Sequence, residues 1–328
     1  MEAFINTLNG IIWSQWLVYL CLGAGVYFTA VTLFMQLRCI PDMLKQLRHG
    51  ESSEAGISSF QSLMISLAGR VGVGNIAGVA TAIAFGGPGA VFWMWIVAFL
   101  GSATSFVECT LAQIYKEKDR DTGEYRGGPA YYIEKAYSHT KAAPFALVYA
   151  IIFAISMILA TSYFLPGIQA NGVAAAVENA WGINVWISAA IMAILLGFII
   201  IGGVKRIANF ASMVVPFMAA IYIILAIVIL FVNASEIPQV FGLIFRSAFD
   251  QEAIFSGMLG AAIAWGVKRG IYSNEAGQGT GPQAAAAAEV SHPAKQGFVQ
   301  SFAVYIDTLF VCSATAFIII STDMYRVF

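Results

Sequence analysis

Three observations make the fold class an all-α polytopic membrane protein. Hydrophobic residues form 59% of the 328 and charged ones 11%, against roughly 25% charged in an average soluble chain, and the mean hydropathy is +0.77. Apolar runs of the roughly 20 residues that cross a bilayer as a helix recur at about 11–37, 58–85, 89–115, 143–165, 183–204, 208–232, 253–274 and 297–320. These runs are too long, and alternate too weakly, for barrel strands, so each is expected to be a helix that satisfies its own backbone.

The first span is expected to be retained, because "MEAFINTLNG" has no basic n-region and the run behind it is longer than an h-region. The second is interrupted by "GRVGVGNIAG", with glycines at 69, 72, 74 and 78 around Asn75. A "GGPG" turn leads into the third, whose Phe92, Trp93 and Trp95 read as an aromatic belt at the outer interface. The polar connection "KEKDRDTGEYRGGPAYYIEKAYSHTK" reads as a loop carrying a short amphipathic helix over 129–137. In the fourth span Phe153, Tyr163 and Phe164 either wall a pocket or pack, and 166–182 is expected to be an outer connection. Segment 236–252, with apolar and polar faces, is expected to lie along the outer membrane surface.

Lysines and arginines in the connections set the orientation. Fourteen of the 17, including Arg38, Lys116, Lys205 and Lys268, fall on one side and only Arg246 and Arg326 on the other, with Arg70 inside a span. The crowded side is therefore expected to be cytoplasmic and the N-terminus outside. A net charge of -1 without a basic run excludes nucleic acid as a partner; membrane lipid is the expected surrounding. Cys21, Cys39, Cys109 and Cys312 show no CxxC spacing, so neither a disulfide framework nor a zinc site follows. HExxH, GxSxG and Walker motifs are absent, which argues against an enzyme.

Two readings fit the second span. Gly74 and Gly78 form a GxxxG pair of the kind that lets membrane helices approach closely. Alternatively the glycines unwind the helix, freeing carbonyls for a cation and N–H groups for an anionic substrate group. The seventh span offers a second candidate break in "GAAIAWGVKRGIYSNEAGQGTGPQ", where Gly266, Gly270, Gly277, Gly279 and Gly281 interrupt an apolar run. A plain helix end is the other reading of that stretch. Two Gly-interrupted spans are the sequence pointer to an inverted-repeat transporter. Arg70, Glu108 and Asp307 lie within spans, with Glu275 near the end of the seventh, where a charge costs at least about 2.5–3.5 kcal/mol and needs a partner. An Arg70–Glu108 ion pair is one candidate arrangement. Asp307 beside Thr308 suits a hard cation that prefers oxygen ligands.

"GVGNIAGVATAIAFGGPGAVFWMWIVAFLGSATSFVECTLAQIY", "GEYRGGPAYYI" and "KRGIYSNEAGQGTGPQAAAAA" resemble the signature regions of the alanine/glycine:cation symporters, the sodium:alanine symporter family. The resemblance implies one LeuT-like inverted-repeat domain: an extra N-terminal helix (11–37), a first five-helix repeat (58–232) and an incomplete second repeat (253–320). It implies sodium-coupled uptake of a small neutral amino acid, alanine or glycine, across a plasma membrane of the bacterial inner-membrane type. Sodium is the implied coupling ion, with proton as the alternative, and no organic cofactor is implied. Carried over by position, Asn75, the carbonyls of Ala68, Arg70 and Val71, and Asp307 with Thr308 fall at the cation. Gly72, Val73, Gly74, Phe164, Trp265, Gly266 and Asn274 fall at the substrate. Val73 stands where members often have Thr or Ser, which removes a hydroxyl. The chain stops before a full second repeat, so a C-terminal truncation is expected. The alternative function is accordingly a non-transporting paralogue that binds ligand or only folds.

Overall fold

The computed structural model describes residues 10–48, 56–249 and 258–322, with Phe4, Thr7 and Tyr325. It is an all-α polytopic architecture: among the described residues five helices are long and apolar enough to cross a membrane, and six if one bent pair counts as a span. Helix α1 (Gln15–Val31) is followed by α2 (Met35–Arg38) and the amphipathic α3 (Ile40–Arg48). Helix α4 (Ser59–Arg70) starts on a capping box, in which Ser58 Oγ accepts the Gln61 N–H and Gln61 Oε1 accepts the Ser58 N–H. The chain then bends by 51° into α5 (Gly74–Gly86), which opens with a π-turn over Gly74–Gly78. Val71 is extended at the bend, so the break falls inside the glycine-rich stretch.

Helix α6 (Gly89–Ile114) is the hub of the fold, touching α1 and most of the elements that follow. A small hairpin, β1 (Glu117–Lys118) with β2 (Tyr125–Arg126), precedes α7 (Pro129–Tyr137), the short helix expected there. The next helix, α8 (Ala143–Trp181), is longer than expected, and 166–182 is not a connection. Pro166 lacks an N–H, and the helix absorbs this through a π-turn at Ala160–Phe164, where the Thr161 hydroxyl donates to the Met157 carbonyl (2.8 Å) and the Ser162 hydroxyl to that of Ile158.

Helices α9 (Val185–Ile200), α10 (Gly203–Val232) and α11 (Ile237–Phe249) follow. Phe92, Trp93 and Trp95 pack between helices. Phe92 meets Phe245 and Phe249 of α11 at 5.5 and 4.8 Å between ring centroids, and Trp95 Nε1 donates to Ser313 Oγ (2.8 Å). Their aromatic area is used between helices, where edge-to-face pairs add to burial. Positions 250–252 of the expected surface segment and 253–257 of the expected seventh span lie outside the described residues, as does Arg326.

Helix α12 (Met258–Asn274) runs unbroken through Gly266 and Gly270, which corrects the expected site of its interruption. Both glycines serve packing: a Cβ on Gly266 would lie 2.5 Å from the Ala90 carbonyl oxygen and 2.7 Å from Trp93 Cβ. The break comes after Asn274. Glu275, Gly277 and Gly279 have φ of 54°, 85° and 92°, a region open mainly to glycine, before α13 (Thr280–Ala287) begins. Helix α14 (Pro293–Ser321) carries a π-stretch at Tyr305–Cys312 and buries a seam of Gln296, Gln300 and Ser301 against α4 and α6.

On the hairpin side the two broken segments are tied together. Ile57, ahead of α4, forms a parallel bridge with Ala288, behind α13, while Lys116 Nζ donates to the Ala288 carbonyl (2.6 Å) and lies over the Tyr125 ring. Burial pushes Lys116 down from 10.5 to about 8, with Glu289 pulling it back up. A lysine depressed by folding contributes stability that is complete above its unfolded value and is lost as pH falls through the folded one. The melting temperature of the purified protein should therefore rise between pH 8 and pH 10, and Lys116→Met should flatten that rise.

Steric crowding gives a second test. Gly266→Val should destabilise the protein by about 1–3 kcal/mol, because backbone and Cβ atoms cannot move aside as a side-chain end would. A lowered melting temperature in detergent would show it, with Gly78→Ala, where a Cβ meets nothing within 4 Å, as the neutral control.

Candidate functional site

Asn75 is the junction of the two breaks. Its carboxamide is buried, and Oδ1 accepts the Gly72 N–H (2.8 Å) across the first break. Its Nδ2 donates to Asp307 Oδ1 (2.6 Å) and Ser273 Oγ (3.1 Å), and lies 3.3 Å from Cys312 Sγ. Asp307 Oδ2 accepts from Ser273 Oγ (2.9 Å) and Thr308 Oγ1 (2.7 Å). The π-turn of α5, the last turn of α12 and the π-stretch of α14 thus meet on one carboxylate. These wide turns leave backbone groups without the usual i−4 partner, a feature frequent at functional positions. The structure brings Asn75, Asp307 and Thr308 together and adds Ser273.

One detail differs from the expected asparagine ligand. Asn75 shows Asp307 its nitrogen, because the Gly72 N–H needs its oxygen; turning the amide over would set donor against donor. For Asn75 Oδ1 to face a cation held at Asp307 the amide has to turn over, and that turn releases Gly72. Among the described residues no group of three or more His, Cys, Asp or Glu gathers as a metal site. The local donor set is carboxylate and hydroxyl oxygen, the chemistry of a hard monovalent or alkaline-earth ion.

Two of the three N–H groups expected at a substrate carboxylate are likewise taken. Gly72 serves Asn75, and the Val73 N–H donates to Gln169 Oε1 of α8 (2.9 Å). Gly72 also makes room for Gln169, whose Oε1 would stand 2.7 Å from a Cβ there. Gln169 borders a cavity of about 340 Å³ with Ala68, Gly69, Arg70, Gly74 and Glu275. No feature of the sequence pointed to Gln169, which lies in the segment read as a connection.

Arg70 and Glu108 make no ion pair within 4.0 Å among the described residues. The Arg70 guanidinium donates to the Gln300 carbonyl (3.2 Å) and Ser105 Oγ (3.3 Å), and Glu108 Oε1 accepts the Gly277 N–H (3.1 Å). Glu108 thus caps backbone at the second break, where Asn274 Oδ1 also accepts the Ala276 N–H (3.0 Å).

The remaining expected substrate residues are dispersed. Phe164 and Asn274 border a separate cavity of about 930 Å³ beside α1. Trp265 stacks on Phe85 at 4.8 Å and borders a third cavity with Val73, while Gly266 faces α6. Tyr163 and Phe164 are exposed, whereas Phe153 packs beside Gly279.

Fold and site together define a polytopic, mostly helical membrane protein with a buried polar junction between discontinuous helices. The sodium:alanine symporter family matches residues 1–327, and the chain belongs to that family. Its members are transporters rather than enzymes. YrbD of Bacillus subtilis (strain 168), named as a candidate sodium/proton-dependent alanine carrier, is 58% identical over 99% of this chain and 66% of its own length. The sodium/proton-dependent alanine carrier protein of Bacillus sp. (strain PS3) is 49% identical over 87% and 62%. The sodium/alanine symporter AgcS of Methanococcus maripaludis is 42% identical over 97% and 70%. The chain thus spans about two thirds of the length of these relatives.

Asn75→Ala should lower stability by about 1–3 kcal/mol, since it removes a donor from a buried carboxylate and strands the Gly72 N–H. Thermal unfolding in detergent measures this, and Asn75→Asp should cost at least as much by placing a second carboxylate against Asp307.

Proposed function

We propose that the chain acts as a cation-coupled symporter of a small neutral amino acid, alanine or glycine, with sodium as the coupling ion and proton as the alternative. The observation that carries this reading is the Asn75 junction, where one amide holds both a substrate-type N–H and the buried carboxylate suited to a cation. The family membership supports it. The same reading takes the LeuT-like arrangement of 58–232 and 253–320 as the two repeats, with an N-terminus outside a bacterial inner membrane.

Coupling follows from the competition for Asn75. Sodium binds Asp307, Thr308 and Ser273 oxygens and draws in Asn75 Oδ1, with carbonyls of Ala68, Arg70 and Val71 available at the first break. The Gly72 N–H is then released, and with Gln169 displaced from Val73 the N–H groups of 72–74 receive the amino-acid carboxylate. A helix N-terminus favours an anion there. Sodium thereby prepares the substrate site, and the amino acid is held poorly without it. Rocking of the broken helices against the rest then alternates access.

In proteoliposomes an inward sodium gradient should drive uptake of labelled alanine, and choline in place of sodium should abolish it. Asp307→Asn should reduce uptake by at least about tenfold, the equivalent of 1.4 kcal/mol. Sodium-independent uptake, or an undiminished Asp307→Asn variant, contradicts the reading.

A further inference from the structure

Among the described residues four charged side chains are buried: Arg70, Glu108, Glu275 and Asp307. Three carboxylates thus stand against one guanidinium, and among the described residues none of the three lies within 4.0 Å of a Lys, Arg or His nitrogen. The Arg70 guanidinium acts on all three from beyond ion-pair distance, and one positive charge shared among three carboxylates leaves a net negative charge that is costly when buried and is relieved by a ligand that brings positive charge. Each has a different environment. Asp307 is fully enclosed and accepts from Asn75, Ser273 and Thr308. Glu108 caps Gly277 and does not border the cavity at the first break.

Glu275 differs from both. It is 7% exposed, and that exposure faces the 340 Å³ cavity shared with Arg70, Gly74 and Gln169. Thr280 Oγ1 donates to its Oε2 (2.5 Å), fixing the carboxylate, while Oε1 accepts no hydrogen bond among the described residues. Its own backbone, at φ 54°, is held in a conformation uncommon for a non-glycine residue. Such local strain is retained where surrounding structure over-determines it. Gly69 lies against the carboxylate, so the first break and Glu275 share one wall.

We propose that Glu275 receives the ammonium group of the substrate, so that a zwitterion is read at both breaks: ammonium at Glu275 in this cavity, carboxylate at the N–H groups of 72–74, of which Gly74 borders it. This rests on the symporter reading and extends it to the recognition of the amino group. An oxygen fixed by Thr280 leaves the other free to accept from a cation without rearrangement. Preorganised, charge-assisted hydrogen bonds of this kind are about twice as strong as neutral ones.

The test is alanine uptake into proteoliposomes under a sodium gradient, by wild type, Glu275→Gln and Glu275→Asp, with lactate and propionate as competitors. These anions keep the carboxylate and lack the ammonium. Glu275→Gln should raise the alanine KM by at least tenfold with a smaller change in kcat, and Glu275→Asp should restore part of it. Against the wild type, both anions should compete at least tenfold more weakly than unlabelled alanine, a measurement that needs no variant to fold. An unchanged alanine KM in Glu275→Gln, or lactate competing as well as alanine in the wild type, overturns the assignment while leaving the symporter reading intact. Absence of sodium-dependent uptake by the wild type overturns the reading and the assignment with it.

Discussion

One side-chain amide holds the two discontinuities of this protein in register. A break in a membrane helix exposes N–H and carbonyl groups that no lipid can satisfy, and at the first break Asn75 satisfies one by folding its oxygen back onto Gly72. The nitrogen left over points to Asp307 and Ser273. Replacing that bond network by apolar packing would leave backbone unsatisfied on one side and a carboxylate unsupported on the other. The surrounding scaffold serves this geometry. Close approach of α12 to α6 at Gly266, and the bridge between Ile57 and Ala288, fix where the broken pieces end.

Two backbone N–H groups at each break are occupied by the protein's own side chains: Asn75 and Gln169 on those of the first, Asn274 and Glu108 on those of the second. Internal ligands of this kind lower the cost of an interrupted helix and can be exchanged for external ones of similar chemistry. Gln169 presents a neutral carbonyl oxygen where a carboxylate would form a stronger, charge-assisted bond. The exchange is thus favourable in direction, and it requires no donor to be left bare.

Much of the fold was legible because apolar runs in a bilayer have few alternatives to helix. The location of the first break and the helix at Pro129–Tyr137 followed from residue type and spacing, whereas the meeting of Asn75 with Asp307 and Thr308 was implied by the family resemblance alone. What was not legible depends on partners distant in sequence. Gly266 and Gly277 are the same residue in the same run, yet one lets α6 approach and the other takes a positive φ, a distinction set only by the facing helix. The fourth apolar run ends at 165 in the sequence, but a π-turn and two hydroxyls carry the helix past Pro166. Gln169 had no signal because its role is defined by a backbone N–H at Val73, 96 positions away.

The central claim is that the Asn75–Asp307 junction holds the coupling ion. Ligand that binds only the folded state raises its stability, by about 2.7 kcal/mol at 100 times its dissociation constant. The decisive measurement is the melting temperature of the purified protein in sodium against choline at equal ionic strength, for the wild type and Asp307→Asn. Sodium should stabilise the wild type and leave the variant unmoved. An equal sodium-induced shift in both proteins would contradict the account.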